Sequence, residues 1–196
     1  MIFFTADTHF YHANIIKYCS RPFVDREEMN EQLITRWNNR VQPDDLVYHL
    51  GDIAFCREFE LHEILNRLNG NKILIMGNHD RTIAKHRKSN FNGQFYAIHD
   101  QWMLHDPSLP HQNILLSHYP KYDADFLRRG GWMLHGHTHG TTHPKPYRML
   151  DVGVDVHGFQ PIALPEVAEI MAQKEDYHFN GEPEFVNSQT KIGAVS

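Results

Sequence analysis

The chain has 196 residues, enough to bury the core of one domain, and its 41% hydrophobic and 22% charged residues are typical of a globular protein. A net charge of −5 with histidine neutral argues against a protein that binds nucleic acid through bulk positive charge. No basic segment precedes a long apolar run at the N-terminus, and no apolar stretch approaches the roughly 20 residues that span a bilayer. We therefore expect a cytoplasmic protein without a membrane partner, in which Cys19 and Cys56 are reduced thiols.

In the first half of the chain, short apolar runs alternate with amphipathic patterns. Strands are predicted at residues 2–6, 46–50 and 72–77. An apolar stripe at helical spacing, from residue 29 to residue 37, follows Asp25, a predicted N-cap with Glu28 three residues on. A second stripe at residues 61–68 ends at Asn69-Gly70. This order predicts parallel strands with helices on the faces of the sheet.

The second half has closely spaced apolar runs and few helical patterns. Strands are predicted at residues 113–117, 132–135 and 147–152. A short helix begins at Pro165, and polar loops are predicted at residues 81–92 and 105–112. Close spacing without long intervening helices favours more antiparallel pairing in this half. We expect one domain at residues 1–175 and a loosely ordered tail at residues 176–196.

Groups of polar residues follow five of the predicted strands, and the sequence has 16 histidines without a histidine tract. The groups are Asp7-Thr8-His9, Gly51-Asp52, Gly77-Asn78-His79-Asp80, His118 and Gly136-His137-Thr138-His139-Gly140. Ligands of open α/β sheets bind at the carboxyl ends of strands, so we expect the five groups to converge on one site. Helix capping by Asp or Asn, with histidines in loops, would explain any one group but not all five.

The side chains in these groups indicate a metal site. Together they offer two carboxylates, one amide oxygen and at least four imidazoles, but no thiolate. Oxygen and imidazole ligands suit Zn, Mn, Fe or Co. Seven ligands exceed what one catalytic ion with an open position can use, and they suit two ions about 3.5–4 Å apart that share a carboxylate. Such a pair can bind the attacking and leaving oxygens of a phosphoryl displacement.

The order of these groups resembles the calcineurin-like metallophosphoesterase superfamily, whose blocks are Asp-x-His, Gly-Asp, Gly-Asn-His-Asp/Glu, His and Gly-His-x-His. All five blocks occur between Asp7 and His139. The chain is more closely similar to a small bacterial and phage group of these phosphoesterases, over most of its length except the tail. The matching segments are Arg21-Pro22-Phe23, Leu116-Ser117-His118-Tyr119-Pro120, Leu134-His135-Gly136-His137-Thr138-His139-Gly140 and Asp151-Val152-Gly153-Val154-Asp155. The resemblance implies an α/β sandwich of two mixed β-sheets flanked by helices.

The resemblance also implies a set of metal ligands. One divalent ion would be bound by Asp7, His9, Asp52 and His139, and the other by Asp52, Asn78, His118 and His137. Asp52 would bridge the two ions, which could be Mn, Fe, Zn, Co or Ni. The implied reaction is hydrolysis of a phosphate ester by a hydroxide that bridges the ions.

Catalytic and substrate-binding roles are implied for further residues. His79 would act with the Asp52 bridge as a catalytic residue and would lie over the substrate phosphate, which Asn78 would also contact. Arg21 either binds that phosphate or forms an ion pair at the surface. In the protein phosphatase branch of the superfamily, an Asp three residues after the bridging Asp orients the equivalent of His79. Phe55 occupies that position here, so this His–Asp pair is absent.

Other polar residues near these groups have alternative interpretations. Tyr119 packs either beneath a ligand or over the substrate. The carboxylates in residues 151–155 are either structural or hydrogen-bonded to ligand histidines. His49 and His135 are expected on the faces of their strands that point away from the site, because side chains alternate along a strand.

These features favour a metal-dependent phosphoesterase. The chain has little room for a cap over the site, which favours a phosphodiesterase for small or nucleotide substrates, although a phosphomonoesterase would use the same ligands. A nuclease acting on DNA or RNA is the second hypothesis and would need a basic track, for which the sequence offers short runs at residues 81–88 and at Arg128-Arg129. A non-catalytic metal-binding scaffold is the third, but a scaffold should have lost ligands or His79.

Overall fold

The computed structural model describes residues 1–109, 112–141 and 147–174, and the predicted tail and its boundary at residue 175 lie outside them. The strands are β1 (Ile2–Thr5), β2 (Leu46–His49), β3 (Asn71–Ile75), β4 (Ala97–His99), β5 (Gln101–Leu104), β6 (Ile114–Ser117), β7 (Trp132–His135), β8 (Met149–Asp151) and β9 (Ile162–Ala163). The helices are α1 (Ala13–Tyr18), α2 (Arg26–Asn38), α3 (Glu58–Arg67), α4 (Arg81–Ala84), α5 (Asn90–Gly93), α6 (Ala124–Arg128) and α7 (Leu164–Ala172). Within these ranges, no helix combines the length and the apolar character needed to cross a membrane.

The first sheet has the strand order β4-β3-β2-β1-β9. Strands β1 to β4 are parallel, and β9 runs antiparallel to β1 at the edge. The prediction of a parallel sheet with intervening helices is confirmed, because α2 lies between β1 and β2 and α3 lies between β2 and β3. The two edge strands are not predicted from the sequence, since segments of three and two residues carry too little periodicity.

The second sheet has the order β5-β6-β7-β8, and only the pair β5–β6 is antiparallel. Strand β7 is parallel to both β6 and β8. Both antiparallel pairs in the described residues, β5–β6 and β1–β9, include a strand of the second half, as predicted. The three strands predicted there, β6, β7 and β8, nevertheless pair in parallel, because α6 returns the chain from the end of β6 to the edge where β6 began. The expected α/β fold with two mixed sheets flanked by helices is confirmed. Parallel pairing also brings the ends of β6, β7 and β8 to the same edge.

Alternation along the strands separates the apolar side chains into three cores. Phe3 packs with residues of α2 and α3 on the outer face of the first sheet, whereas Phe4 faces the second sheet. Leu134 belongs to this inner core, and its neighbour Met133 packs on the outer face of the second sheet with Leu127 of α6. The layers are therefore α2 and α3, the first sheet, the second sheet and α6.

The predicted helix starts agree with the structure in most respects. The side chain of Asp25 caps α2 by accepting a hydrogen bond from Glu28 N at 2.8 Å. The Glu28 carboxylate accepts from Val24 N at 2.7 Å, so the reciprocal bond of a capping box with Asp25 is not formed. Pro165 lies in the first turn of α7, as predicted.

The predicted polar loop at residues 81–92 is instead a series of short helical turns. It contains α4, a 3-10 turn at Arg87–Ser89 and most of α5, in which Phe91 has a left-handed backbone. Ile83 and Phe91 are both buried and anchor the segment to the core. Because the residues around them are polar, the segment has no apolar periodicity from which this burial could be predicted.

Candidate metal centre

The candidate ligands lie in the loops that follow β1, β2, β3, β6 and β7, and backbone hydrogen bonds join these loops. The bonds run from Asp7 N to Gly51 O at 3.0 Å, from His9 N to Asp52 O at 3.1 Å and from Gly136 N to His118 O at 3.0 Å. A parallel bridge between Ala6 and Gly153 also ties the first sheet to the loop after β8. The strand ends of both sheets therefore lie at one edge of the sandwich.

Five of the seven candidate ligands have a left-handed backbone. The φ angle is 57° at Asp7, 49° at His9, 59° at Asp52, 69° at His137 and 47° at His139. Positive φ values are uncommon outside glycine, although Asp, Asn and His adopt them more often than other residues. This conformation costs on the order of 1–3 kcal/mol per residue and is concentrated at functional sites. The backbone thus turns sharply after β1, β2 and β7, where these five candidate ligands lie.

Two glycines allow the candidate ligands to approach the backbone closely. A Cβ atom on Gly77 would lie 2.2 Å from Asp52 Oδ1, and a Cβ atom on Gly136 would lie 2.6 Å from Asp7 Oδ2. Real Cβ atoms do not come so near to another heavy atom. Any larger residue at either position would therefore displace a carboxylate of the site.

The structure brings the candidate ligands together in two groups. Nitrogen or oxygen atoms of Asp7, His9 and His139 lie within 4.8 Å of one another in the first group. Atoms of Asp52, His118 and His137 meet the same limit in the second group. These groups coincide with the two predicted ligand sets, apart from the Asp52 bridge to the first set and Asn78. The assignment of these residues as metal ligands remains a prediction.

Asp52 lies at the junction of the two groups. Its Oδ2 atom is 3.7 Å from His9 Nε2, 3.5 Å from His118 Nε2 and 3.9 Å from His79 Nε2. Its Oδ1 atom accepts a hydrogen bond from His79 N at 2.9 Å, which leaves Oδ2 facing the imidazoles. A single carboxylate oxygen surrounded by nitrogen atoms of both groups is where a bridging ligand would be expected.

Asn78 and His118 present two acceptor atoms to each other. His118 Nδ1 is 2.8 Å from Leu50 O, so the neutral ring carries its proton on Nδ1 and Nε2 has a free lone pair. That Nε2 atom is 3.0 Å from Asn78 Oδ1, which also accepts a hydrogen bond from the Tyr119 hydroxyl at 3.1 Å. In this tautomer neither atom supplies a proton to the other, and a cation bound to both would satisfy the two lone pairs.

His9 and Asp7 have buried polar atoms without protein partners. Neither ring nitrogen of His9 is hydrogen-bonded, and Asp7 Oδ1 also lacks a partner, although both residues are almost completely buried. An unsatisfied buried polar atom costs about 1–3 kcal/mol, so such atoms require an explanation. Divalent cations fit this donor set, because they would be coordinated by the same oxygen and imidazole atoms that lack partners.

The electrostatics of the site also favour a bound cation. Burial raises the pKa of Asp7 well above its ordinary value, and the negative charge of Asp151 adds to this increase. Burial lowers the pKa of His9, and the positive charge of Arg21 lowers it further. The imidazole is therefore held neutral, which is the form that binds a metal, and a nearby cation would favour the ionised carboxylate of Asp7.

Asp155 and Arg21 are hydrogen-bonded to residues of the first ligand group, which contains Asp7, His9 and His139. Asp155 Oδ2 accepts a hydrogen bond from His139 Nδ1 at 2.7 Å, which directs His139 Nε2 away from Asp155 and leaves it free to bind. The Asp155 carboxylate also forms a two-point pair with Arg21, at 2.8 Å and 2.9 Å. Burial opposes ionisation of Asp155, but these bonds from His139 and Arg21 outweigh it and lower its pKa. The hypothesis that a carboxylate in residues 151–155 orients a histidine therefore agrees with the geometry.

Arg21 lies behind the candidate ligands, where it has no free donor. Its remaining N–H groups contact Thr8 O at 2.9 Å, Asp7 O at 2.7 Å and Met29 Sδ at 3.5 Å, and its side chain is fully buried. With all five donors engaged, this placement argues against contact with a substrate phosphate and against a surface ion pair. Arg21 instead fixes the backbone that presents Asp7.

Asp80 has a supporting role that sequence reasoning does not identify. Its buried carboxylate accepts hydrogen bonds from Asp52 N, Ile53 N and Gly77 N at 2.8–2.9 Å. The loops after β2 and β3 are thereby fixed to each other beneath the candidate bridge. Burial raises the Asp80 pKa, and the three backbone donors oppose this increase. The only available signal was the position of Asp80 directly after His79.

His79 and two aromatic residues lie at the opening of the site. The His79 side chain is 38% exposed, and the Phe55 ring lies 4.7 Å from it. On the other side, the ring of Tyr119 is 4.4 Å from that of His137, and its hydroxyl contacts Asn78 as described above. Tyr119 therefore packs against the candidate ligands while remaining 46% exposed, which is compatible with both of its predicted roles.

His49 and His135 are both buried outside the two ligand groups, as expected. His135 Nδ1 contacts Gly136 O at 2.9 Å. His49 Nε2 is 3.0 Å from the Thr8 hydroxyl, which itself donates to Ile53 O at 2.9 Å. Because the hydroxyl proton is already used, His49 must donate from Nε2, which leaves its buried Nδ1 atom unprotonated and without a partner.

This arrangement predicts a pH dependence of stability. Burial lowers the pKa of His49 to about 3 from its ordinary value near 6.5. The unfolded chain therefore binds one more proton than the folded chain between these values, and the free energy of unfolding falls as the pH falls through this range. The contribution of His49 is at most about 1.4 kcal/mol per pH unit.

The measurement is urea unfolding of the metal-free protein at pH 7, 6, 5 and 4. We expect His49→Gln to lose less stability on acidification than the wild type. His105→Gln, which removes an exposed histidine, should follow the wild-type pH dependence. Equal slopes for His49→Gln and the wild type would show that His49 does not cause the acid sensitivity.

Comparison with known proteins shows relatives over most of the chain. The chain is similar to the uncharacterized protein MJ1445 of Methanocaldococcus jannaschii, with 35% identity over 179 residues that cover 87% of this chain and 90% of that protein. It is also similar to the Gene 66 protein of Mycobacterium phage D29, with 31% identity over 202 residues that cover 89% of this chain and 98% of the phage protein. No protein-family model matches the chain.

A solved structure shares the fold. The crystal structure of the protein of unknown function AQ665 from Aquifex aeolicus matches with a TM-score of 0.66 and 26% sequence identity, over 87% of this chain and 98% of that chain. The arrangement of two mixed sheets is therefore found in an experimentally determined structure.

Proposed function

We propose that this chain, which belongs to the family of the uncharacterized protein MJ1445 and the mycobacteriophage Gene 66 proteins, is a binuclear metal-dependent phosphoesterase. The observation that carries the proposal is the position of Asp52 Oδ2, which lies 3.5–3.9 Å from nitrogen atoms of His9, His79 and His118. One carboxylate oxygen between two groups of metal-binding side chains supports a pair of ions rather than a single ion. The two mixed sheets flanked by helices are consistent with a metallophosphoesterase-type sandwich.

The proposed ligands are those of the two groups together with Asn78. One ion is bound by Asp7, His9, Asp52 and His139, and the other by Asp52, Asn78, His118 and His137. Two bound divalent ions supply a water of lowered pKa as the nucleophile and neutralise charge on the phosphoryl oxygens. The metals can be Mn, Fe, Zn, Co or Ni, because each accepts oxygen and imidazole ligands.

In this proposal His79 contacts the reacting phosphate. Its side chain is partly exposed, and its Nε2 atom is 3.9 Å from Asp52 Oδ2, so it can reach a group bound beside the bridge. It donates a hydrogen bond to a phosphoryl oxygen or to the leaving oxygen. Its ring packs against that of Phe55, which cannot hold a proton, so the His–Asp pair that an acid at position 55 would form is absent, and His79 acts through its own hydrogen bond.

The proposal favours phosphodiesters with small or nucleotide groups. A phosphomonoester carries a second negative charge, and Arg21, the cation predicted for a substrate phosphate, has all of its donors engaged by protein groups. Phe55 and Tyr119 at the opening are 46% exposed and uncharged. These surroundings suit the two organic groups of a diester better than the extra charge of a monoester.

The two other hypotheses have less support. A nuclease needs basic side chains that are free to contact a phosphate backbone. In the described residues, Arg87 pairs with Asp100 at 2.8 Å and Arg128 pairs with Asp125 at 2.6 Å. A non-catalytic scaffold does not require His79, which nevertheless lies beside the candidate bridge.

The test is reconstitution of metal-free protein with Mn, Fe, Co, Ni or Zn. We expect about two ions per chain by elemental analysis and hydrolysis of bis-p-nitrophenyl phosphate. Turnover of p-nitrophenyl phosphate should be slower, and cyclic nucleotides test the nucleotide preference. A chelator should abolish activity, and the metal should restore it. If none of these metals supports turnover of any of these esters, the proposed function is wrong.

A further inference from the structure

A row of aromatic rings leads from the candidate metal centre to solvent. The ring of His79 lies 5.7 Å from that of His9, and Phe55 lies 4.7 Å from His79. His12 stacks on Phe55 with ring centroids 4.3 Å apart and an interplanar angle of 22°, and Tyr18 lies 6.3 Å beyond His12. The row begins at a candidate ligand and ends at a tyrosine that is 73% exposed.

Phe55 is the apolar member of this row and is held in a fixed position. Its N–H donates to Phe10 O at 2.8 Å, and Ala54 forms a parallel bridge with Phe10, which is fully buried. The loop therefore fixes the Phe55 backbone, while 46% of the residue remains exposed. The ring itself packs against His12 and His79, and an apolar side chain positioned in this way loses little conformational entropy when a ligand binds.

We propose that Phe55 is a specificity-determining residue that stacks on the nucleobase of a nucleotide ester. The inference rests on the proposed function, because the proposed function places the reacting phosphate beside Asp52 and His79. Phe55 is in ring contact with His79, and 46% of the residue remains exposed although His12 stacks on one face of its ring. A planar group joined to that phosphate through a sugar can therefore reach the exposed part of Phe55. Stacking accepts any base, because every base has an aromatic face. The substrate class is therefore nucleotide esters without strong selection among bases.

Phe59, in the first turn of α3, provides a matched control, because it is 58% exposed but belongs to neither of the two ligand groups and has no ring contact with His79. The guanidinium of Arg57 lies over its ring at 4.6 Å. Tyr119 is less suited to the role of Phe55, because its hydroxyl is hydrogen-bonded to Asn78 and its ring packs on His137. Phe55→Leu removes the aromatic face but retains an apolar side chain, and Phe55→Trp retains stacking.

The experiment compares two probes that share a phosphate and a sugar, adenosine 5′-monophosphate and ribose 5-phosphate. Their binding to the manganese-loaded protein is measured by calorimetry. We expect the wild type to bind adenosine 5′-monophosphate about tenfold more tightly than ribose 5-phosphate, as stacking on one aromatic side chain allows. Phe55→Leu should reduce this ratio to about one without changing the affinity for ribose 5-phosphate, whereas Phe55→Trp and Phe59→Leu should keep it.

The outcomes separate this inference from the proposed function. Turnover of bis-p-nitrophenyl phosphate is measured on the same samples. Equal affinities for the two probes in a wild type that turns over, or an unchanged ratio in Phe55→Leu, would overturn the stacking role and leave the phosphoesterase intact. A wild type without turnover with any of the metals would overturn both. A loss of affinity for ribose 5-phosphate in Phe55→Leu would show that Phe55 positions His79 rather than a base, and would also overturn the proposal.

Discussion

Asp52→Asn is expected to lower phosphodiester turnover by on the order of 1000-fold or more and to reduce the bound metal well below two ions per chain. Asparagine has the same shape and can still accept the hydrogen bond from His79 N that Asp52 Oδ1 accepts. The substitution removes the negative charge and replaces Oδ2, which lies beside the nitrogen atoms of His9 and His118, by an amide nitrogen that cannot bind a metal. Turnover of bis-p-nitrophenyl phosphate and elemental analysis of the reconstituted protein measure the two effects.

Asp44→Asn is the matched control, because it makes the same chemical change at an exposed position outside the two groups. It should retain wild-type turnover and metal content. Urea unfolding of the metal-free Asp52→Asn protein should show a folded chain, which separates loss of the bridge from loss of the fold. Full turnover with two ions in Asp52→Asn would contradict the assignment of Asp52 as a shared ligand.

Arg21→Met is expected to lower the free energy of unfolding of the metal-free protein by about 3–5 kcal/mol. The substitution leaves the carboxylate of Asp155 without its two-point partner, and it leaves Asp7 O and Thr8 O without a donor. The Arg21 side chain is fully buried, so water cannot replace these bonds without a rearrangement. Urea unfolding at pH 7 is the measurement.

Arg26→Met serves as the comparison for this second prediction. Arg26 pairs with Glu27 at 2.6 Å, but both side chains are at least half exposed, and the substitution should leave the free energy of unfolding close to that of the wild type. The double variant Arg21→Met with Asp155→Asn should recover part of the loss, because the unpaired charge is then removed. Similar stabilities for Arg21→Met and Arg26→Met would refute the buried role of Arg21.

The sequence predicts the first sheet and the convergence of the candidate ligands well. Parallel strands β1, β2 and β3 follow from apolar runs separated by helical stripes, and each of these strands is followed by a polar group. The second sheet is predicted less well, because short spacing suggests antiparallel pairing. An antiparallel β6–β7 pair would have placed His118 and His137 at opposite edges. The polar groups after the strands therefore predict that the strand ends lie at one edge of the sandwich, which the spacing between the strands does not predict.

The supporting residues could not be assigned from the sequence, for a physical reason. Asp80 and Asp155 act in part through hydrogen bonds to distant groups, Ile53 N at 27 residues and the Arg21 guanidinium at 134 residues. No local period or spacing encodes such pairs. The exposure of Phe55 and the burial of Arg21 likewise depend on how distant loops pack. Sequence identifies the side chains that can bind a metal, whereas three-dimensional structure identifies those that hold them in place.

The left-handed backbone at five candidate ligands restricts which residues can replace them during evolution. Aspartate, asparagine, histidine and glycine tolerate this conformation, whereas β-branched residues do so only at high cost. A relative that abandons catalysis would therefore be expected to drift towards Asn or Gly at these positions rather than towards Val or Ile. Such substitutions would leave the loops in shape while removing the charge and the imidazoles. Inactive descendants of this fold should accordingly be recognisable by Asn and Gly in place of Asp and His.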